Sequence, residues 1–190
     1  LCRGKFKQAY KFDDWKCRIE IPHKPGFDFK NAKGVTIEFW MKLYNMPRYC
    51  FTAIMLKKQQ MLGTYIFYNQ RGKYLSGSVA SESRVKSKHK HSSIYIETPY
   101  PPKDFDYGKW HHYAYVFTPK VDQKPGEQLL FIDGKLITKR KHHETVFNSS
   151  DAVLLIGNSQ KSASHRGTRP FSGALDEIRI STVPRYEAKK

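Results

Sequence analysis

The stretch Gly173-Ala174-Leu175-Asp176-Glu177-Ile178-Arg179-Ile180-Ser181, followed closely by Pro184-Arg185-Tyr186, decides how the rest of the chain is read. Ile178 and Ile180 alternate with Arg179 and Ser181, and a period of two sends successive side chains to opposite faces of a strand. One face is buried and the other wet. Near the C-terminus, such a segment reads as the last strand closing a sandwich. The same alternation sets Asp176 and Glu177 on opposite faces, so the two carboxylates cannot share one cleft.

Outward from there, short runs rich in Val, Ile, Tyr and Phe recur between Gly, Pro, Asn and Asp, with no long 3.6-residue periodicity. Thr64 to Asn69 and Lys73 to Ala80 flank Gln70-Arg71-Gly72 as a hairpin, and Asp133-Gly134 signals a type I′ turn because Gly accepts positive φ. Met55 to Leu62 is helix-like over about two turns. The fold class is all-β, an antiparallel two-sheet sandwich. A length of 190 residues suits one domain spanning 1–190. The polar run Glu82 to Ser93 and the Pro-rich run Pro99 to Tyr107 read as surface loops. There is neither a 20-residue apolar span nor a signal peptide, and no initiator Met, so a soluble mature product or a domain excised from a larger protein is expected.

Six blocks extend the argument: Gly4-Lys5-Phe6 with Ala9-Tyr10-Lys11-Phe12-Asp13-Asp14; Ile19-Glu20-Ile21-Pro22; Val35-Thr36-Ile37-Glu38-Phe39-Trp40-Met41-Lys42; Gly108-Lys109-Trp110-His111-His112-Tyr113; Leu130-Phe131-Ile132-Asp133-Gly134-Lys135; and Leu154-Leu155-Ile156-Gly157-Asn158. With the closing Asp-Glu and hydrophobic-Arg-hydrophobic run, they resemble laminin-G-like jelly rolls of the concanavalin A-like lectin/glucanase superfamily, in family order across nearly the whole chain. The resemblance implies that Gly4 to Phe12 and Leu175 to Ser181 form strands and that Trp40 and Trp110 are largely buried, with Phe39, Tyr113 and Phe131 as packing residues. It also implies an extracellular or cell-surface module and one structural calcium, whose ligands map onto Asp13, Asp14 and Asp176. Asp13 and Asp14 read equally as turn residues, and Asp176 as a partner of Arg179 or a nearby Lys.

Charge is the second strong signal. Lys and Arg number 34 against 17 Asp and Glu, a net charge of +17, well above what solubility asks of one domain. An anionic partner follows. The excess clusters in three groups: Arg84, Lys86, Lys88, His89, Lys90 and His91; Lys139, Arg140, Lys141, His142 and His143; Lys161, His165, Arg166 and Arg169. By the family's strand order all three fall in connections between strands, where loops carry function on a rigid scaffold. Tyr95 and Tyr100 stand near strand ends or loops, where they could stack on sugar rings while Lys and Arg take acidic groups.

Catalysis is not expected. Laminarinase-like relatives need Glu-x-Asp-x-x-Glu or Glu-x-Asp-x-Glu on one strand, which directs both carboxylates into a cleft. None of the 17 acidic residues makes either pattern, and there is no nucleophile elbow or phosphate-binding loop. His111 and His112 read as packing residues on opposite faces; the histidines of the basic groups lack the carboxylate or Cys partners of a zinc set. Cys2, Cys17 and Cys50 match no zinc spacing, and either a Cys2–Cys17 bridge or three thiols is compatible with the sequence. The expected function is a non-catalytic binding module for an anionic polymer, foremost an acidic or sulfated polysaccharide. The alternatives are a protein-interaction or structural domain meeting an acidic partner, and nucleic-acid binding through the basic surface, for which no motif is present.

Overall fold

The computed structural model describes residues 1–13, 17–27, 29–44, 51–59, 62–70, 74–81, 93–99, 106–147, 151–157, 168–169 and 171–188; the side chains of 51–53, 56–59, 62–70, 74, 93–95, 97–99 and 168–169 lie outside this description. In chain order its strands are β1 (Cys2–Arg3), β2 (Gln8–Phe12), β3 (Ile19–Ile21), β4 (Val35–Leu43), β5 (Phe51–Gln59), β6 (Leu62–Gln70), β7 (Tyr74–Ala80), β8 (Ser93–Pro99), β9 (Trp110–Thr118), β10 (Gly126–Ile132), β11 (Lys135–His142), β12 (Leu154–Ile156), β13 (Thr168–Arg169) and β14 (Gly173–Ser181). One 3-10 turn, Pro25–Phe27, precedes β4.

The first sheet has the order β1-β2-β14-β4-β9-β10-β11, and the second β3-β12-β5-β6-β7-β8. Both are antiparallel; β13 joins β5 in parallel at the margin of the second sheet. The closing segment pairs on one side with β2 and on the other with β4, so the two ends of the chain meet in mid-sheet.

Alternation builds the interior. Val35, Ile37, Phe39, Met41 and Leu43 of β4 face inward with Tyr113, Tyr115 and Phe117 of β9, against Ile54, Met55, Leu75, Val79, Ile96, Leu154 and Ile156 of the second sheet. Phe39 stacks on Tyr113 with centroids 5.7 Å apart. Phe12, Phe29, Phe147 and Phe171 are also fully buried. Full burial of a side chain of this size stabilises by roughly 1.5–3 kcal/mol, so the interior needs no covalent staple. Cys2 and Cys17 are free thiols, not a bridge, and Cys50 lies outside the described residues.

Two local expectations are corrected. Of the helix-like patch Met55 to Leu62, Met55 to Gln59 belong to strand β5 and Leu62 to β6, residues 60 and 61 lying outside the described residues; β5 and β6 pair with register shifts between Ala53 and Met55 and between Lys57 and Lys58. A bulge inserts one residue and resets the alternation, which makes two-residue periodicity look helical in sequence. Gly4 to Phe12 is not continuous strand, since Gly4 to Lys7 form the turn of the β1–β2 hairpin, closed by the Gly4 N–H donating to the Lys7 carbonyl at 3.0 Å. The Asp133-Gly134 turn is as expected, both residues having positive φ (49° and 75°) between paired Ile132 and Lys135.

Candidate functional site: the outer face of the first sheet

The residues of β4 that point away from the core are Thr36, Glu38, Trp40 and Lys42, interleaved with the buried apolar set. Register places Asp176 and His112 on either side of Trp40, and Trp110 opposite Lys42. Both tryptophans therefore belong to the outer face, where they are partly buried as packing residues rather than lying between the sheets. The signal was in the sequence: Trp40 shares its period with Glu38 and Lys42, not with Ile37 and Phe39.

The middle of this face is covered by the chain's own C-terminal segment. Thr36 Oγ1 donates to the Val183 carbonyl (2.8 Å) and accepts from the Arg185 N–H (2.9 Å). Beyond it, Tyr186 and Ala188 pack on a small apolar cluster of Ala114, Val116, Leu129 and Phe131. Glu38 lies beneath, 5% exposed. Its carboxylate receives the Tyr186 hydroxyl proton, pairs with Arg185 Nε at 2.9 Å, and has Arg179 and His112 each 3.6 Å away. Burial, then the bond to Glu38, raises the Tyr186 pKa, so the phenol stays a donor. Burial lowers the His112 pKa, against the pull of Glu38 and Asp133.

On the side of this segment toward β10 and β11 lies a groove of about 480 Å³. Val116, Leu129, Pro119, Pro184 and Tyr186 contribute apolar lining; Lys33, Lys124 and Lys139 bring cations and Glu127 and Glu187 carboxylates. Lys139 is bound to Glu127 at 2.7 Å, whereas Lys33 and Lys124 have no carboxylate partner among the described residues. The groove can hold a sugar-sized group against an apolar floor while lysines meet acidic substituents.

On the other side, toward β2, the face is aromatic. The turn of the β1–β2 hairpin folds over Trp40, with Phe6 edge-on at 6.0 Å and the Lys5 ammonium 4.4 Å from the ring centroid. His112 contacts the same indole at 5.3 Å. The turn is held by Asp176, 7% exposed, whose Oδ2 accepts the Lys5 and Phe6 N–H groups (2.8 and 3.3 Å) and whose Oδ1 accepts the Glu177 N–H (2.9 Å). Gly4 is needed there because a Cβ would stand 2.6 Å from Asp176 Oδ2 and 2.8 Å from the Gln8 carbonyl carbon. Asp176 and Glu177 do separate, but through a bulge: register shifts between Asp176 and Arg179, and Glu177 has a φ of 49°.

These bonds bear on calcium. The Asp176 oxygens face three amide donors, Asp13 pairs with Lys11 at 2.6 Å, and Asp14 lies outside the described residues. Among the described residues no three His, Cys, Asp or Glu side chains gather as a cation site. A carboxylate already surrounded by N–H groups is a poor ligand for a hard cation, so the described part of the set does not fit one.

Of the basic residues expected to form the site, Lys139, Arg140 and Lys141 are the ones that fall among the described residues. Lys139, Arg140 and Lys141 are not in a loop; they lie in β11, the edge strand of the first sheet. A strand alternates its faces, so Lys139 and Lys141 follow Leu129 and Glu127 outward while Arg140 stands opposite the buried Gln128. His142, also expected in that loop, is buried and accepts the Glu144 N–H at Nδ1. Lysine along an edge also blocks pairing with another sheet, which is why a basic run can be strand. Tyr95 lies within β8 opposite Ser78, its side chain outside the description. Arg84, Lys86, Lys88, Lys90, Tyr100 and Arg166 lie outside the described residues. Lys33, Lys124 and Tyr186 were missed because nothing local marks them: they converge only through the C-terminal segment.

A laminin-G family model, described as the concanavalin A-like lectin/glucanases superfamily, matches residues 18–189. The chain belongs to that family. Solved laminin-G-like and lectin-like folds superpose on it at low identity. They include domains LG4-5 of the mouse laminin alpha1 chain (15% identity, TM-score 0.62, 97% of this chain and 44% of that one). A putative carbohydrate binding protein from Bacteroides ovatus is similar at 18% identity and TM-score 0.63, over 94% of this chain and 44% of that one. The binding domain of botulinum neurotoxin serotype D gives 11% identity and TM-score 0.68, over 95% and 40%. The chain thus spans less than half the length of each of these structures. No curated protein sequence matches the chain. Such neighbours are mostly binding domains, and at these identities they speak to the laminin-G fold. Among the described residues no helix is long and apolar enough to cross a membrane.

Proposed function

We propose that this domain is a non-catalytic module that binds an acidic or sulfated polysaccharide at a cell or matrix surface. The observation that carries the reading is the groove on the outer face of the first sheet, where Lys33 and Lys124, with Lys139 paired to Glu127, stand around an apolar floor bearing Tyr186. Lysines over an apolar surface suit a ligand with both a ring face and acidic substituents. The net charge of +17 draws such polymers over distance. Likeness to carbohydrate-binding folds agrees with it. Lys141 on the same face, together with Arg84, Lys86, Lys88, Lys90, Arg140, Arg166, Tyr95 and Tyr100, would supply further contacts to a long chain.

The test is a panel of sulfated and uronate-rich glycans probed at two salt concentrations with the native domain and with Lys33→Ala/Lys124→Ala/Lys139→Ala. Selective binding that falls by about tenfold in the triple variant, the equivalent of about 1.4 kcal/mol, is expected. Uniform binding to every polyanion, nucleic acid included, with a steep common salt dependence would replace the reading with indiscriminate charge attraction. Absence of glycan binding at low salt would favour an acidic protein partner.

A further inference from the structure

We infer that the aromatic end of the same outer face, formed by Trp40, Phe6 and Trp110 with Lys5 and Lys42, is a stacking subsite for a sugar ring that carries a carboxylate or sulfate. The inference rests on the proposed glycan-binding function and adds a second contact point separate from the lysine groove.

Three observations carry it. First, Phe6 is 63% exposed, yet its backbone is fixed by the Asp176 carboxylate, so the ring is presented by a rigid turn. Exposing an aromatic on a held scaffold forgoes its burial energy, and large exposed apolar groups in a patch mark contact sites. Second, the patch is extended. Trp110 lies diagonally from Trp40 across β4 and β9, a relation that separates Cα atoms by about 7–8 Å and lets large side chains form one surface. Third, the carboxylates around it other than the exposed Glu177 are engaged, Glu38 by Arg185 and Tyr186. Asp176 is occupied by amides, Asp133 by the His111 ring at 2.7 Å, Asp13 by Lys11 and Asp106 by Lys109 at 2.5 Å. Lys5 and Lys42 have no carboxylate partner among the described residues.

The carbon-bound hydrogens on one face of a pyranose ring form an apolar, weakly positive surface that packs on an electron-rich aromatic face, while its acidic substituents need cations. The exposed ring of Phe6, backed by Trp40 beneath the turn, supplies the first, and Lys5 and Lys42 supply the second. The patch and the groove lie on the same sheet face. The C-terminal segment, anchored on Thr36 and packed over Val116 and Leu129, separates them. One polysaccharide chain crossing the C-terminal segment would meet both.

The test separates ring from charge. Dextran sulfate oligomers offer sugar rings and sulfate; short polyphosphate offers charge with no ring. By calorimetric titration at low salt, Phe6→Ala weakens dextran sulfate binding about threefold to tenfold and leaves polyphosphate within about twofold, the range that one aromatic contact is worth. Lys42→Ala weakens both. Trp40→Ala is measured alongside with circular dichroism, and the exposed Phe6 variant keeps the test decisive if the Trp40 variant unfolds. If Phe6→Ala binds dextran sulfate like the native domain while the Lys33/Lys124/Lys139 variant loses it, the subsite is overturned and the function stands. Equal weakening toward polyphosphate also overturns stacking. If neither polyanion binds, the subsite and the function fall together.

Discussion

Asp176 shows how one side chain organises a binding face. Its carboxylate accepts three main-chain N–H groups, two from the hairpin turn that carries Lys5 and Phe6 and one from Glu177. Bonds to a charged acceptor are worth about 1.5–3 kcal/mol each in net terms, enough for this residue to hold the turn through its amide contacts. Asp176→Asn replaces one acceptor oxygen with an N–H₂ that opposes the amide donors. Thermal unfolding should show a loss of about 2–3 kcal/mol, whereas a chelator added to the native domain should leave the melting curve in place. A chelator-induced drop would restore calcium to the account, because an ion bound only by the native state stabilises it by mass action. The sequence singled out Asp176 for a ligand role but could not show its two partners in the hairpin turn, which lie some 170 residues away in the chain. Trp40 was legible in part: alternation within Val35 to Leu43 places it outward, yet its hydrophobicity argues inward, and the competition is settled by the hairpin that half-covers it.

At the level of elements, alternation in β4, β9 and β14 and the turn chemistry at Asp133-Gly134 were enough to define the sandwich. What alternation could not reveal were the places where it breaks: the bulges of β5 and the shift after Asp176. Nor could composition distinguish a basic loop from a basic edge strand, since lysine serves both, and β11 is the edge. The C-terminal segment after β14 was equally hidden, because its role is to cover Glu38 and a second apolar cluster rather than to pair. Tyr186→Phe removes only the hydroxyl donated to Glu38 and should lower stability by about 1–2 kcal/mol. Tyr186→Ala should cost more and raise binding of an apolar dye, as Phe131, whose ring is 5.5 Å from that of Tyr186, loses its cover. Equal melting temperatures for the native and Tyr186→Ala domains would mean that the segment is not a structural strap.

For the whole molecule, the outer face of the first sheet combines a cationic groove, a covering segment and an aromatic patch along one surface, in a chain whose net charge is +17. The central claim is that an acidic polysaccharide lies along this face. The most direct measurement is amide chemical-shift mapping of the isotope-labelled domain during titration with a sulfated oligosaccharide. The account predicts that perturbations concentrate at Lys33, Lys124, Lys139 and Tyr186 and continue to Lys5, Phe6, Trp40 and Lys42. Perturbations confined to the second sheet, with this face unmoved at saturating ligand, would contradict it.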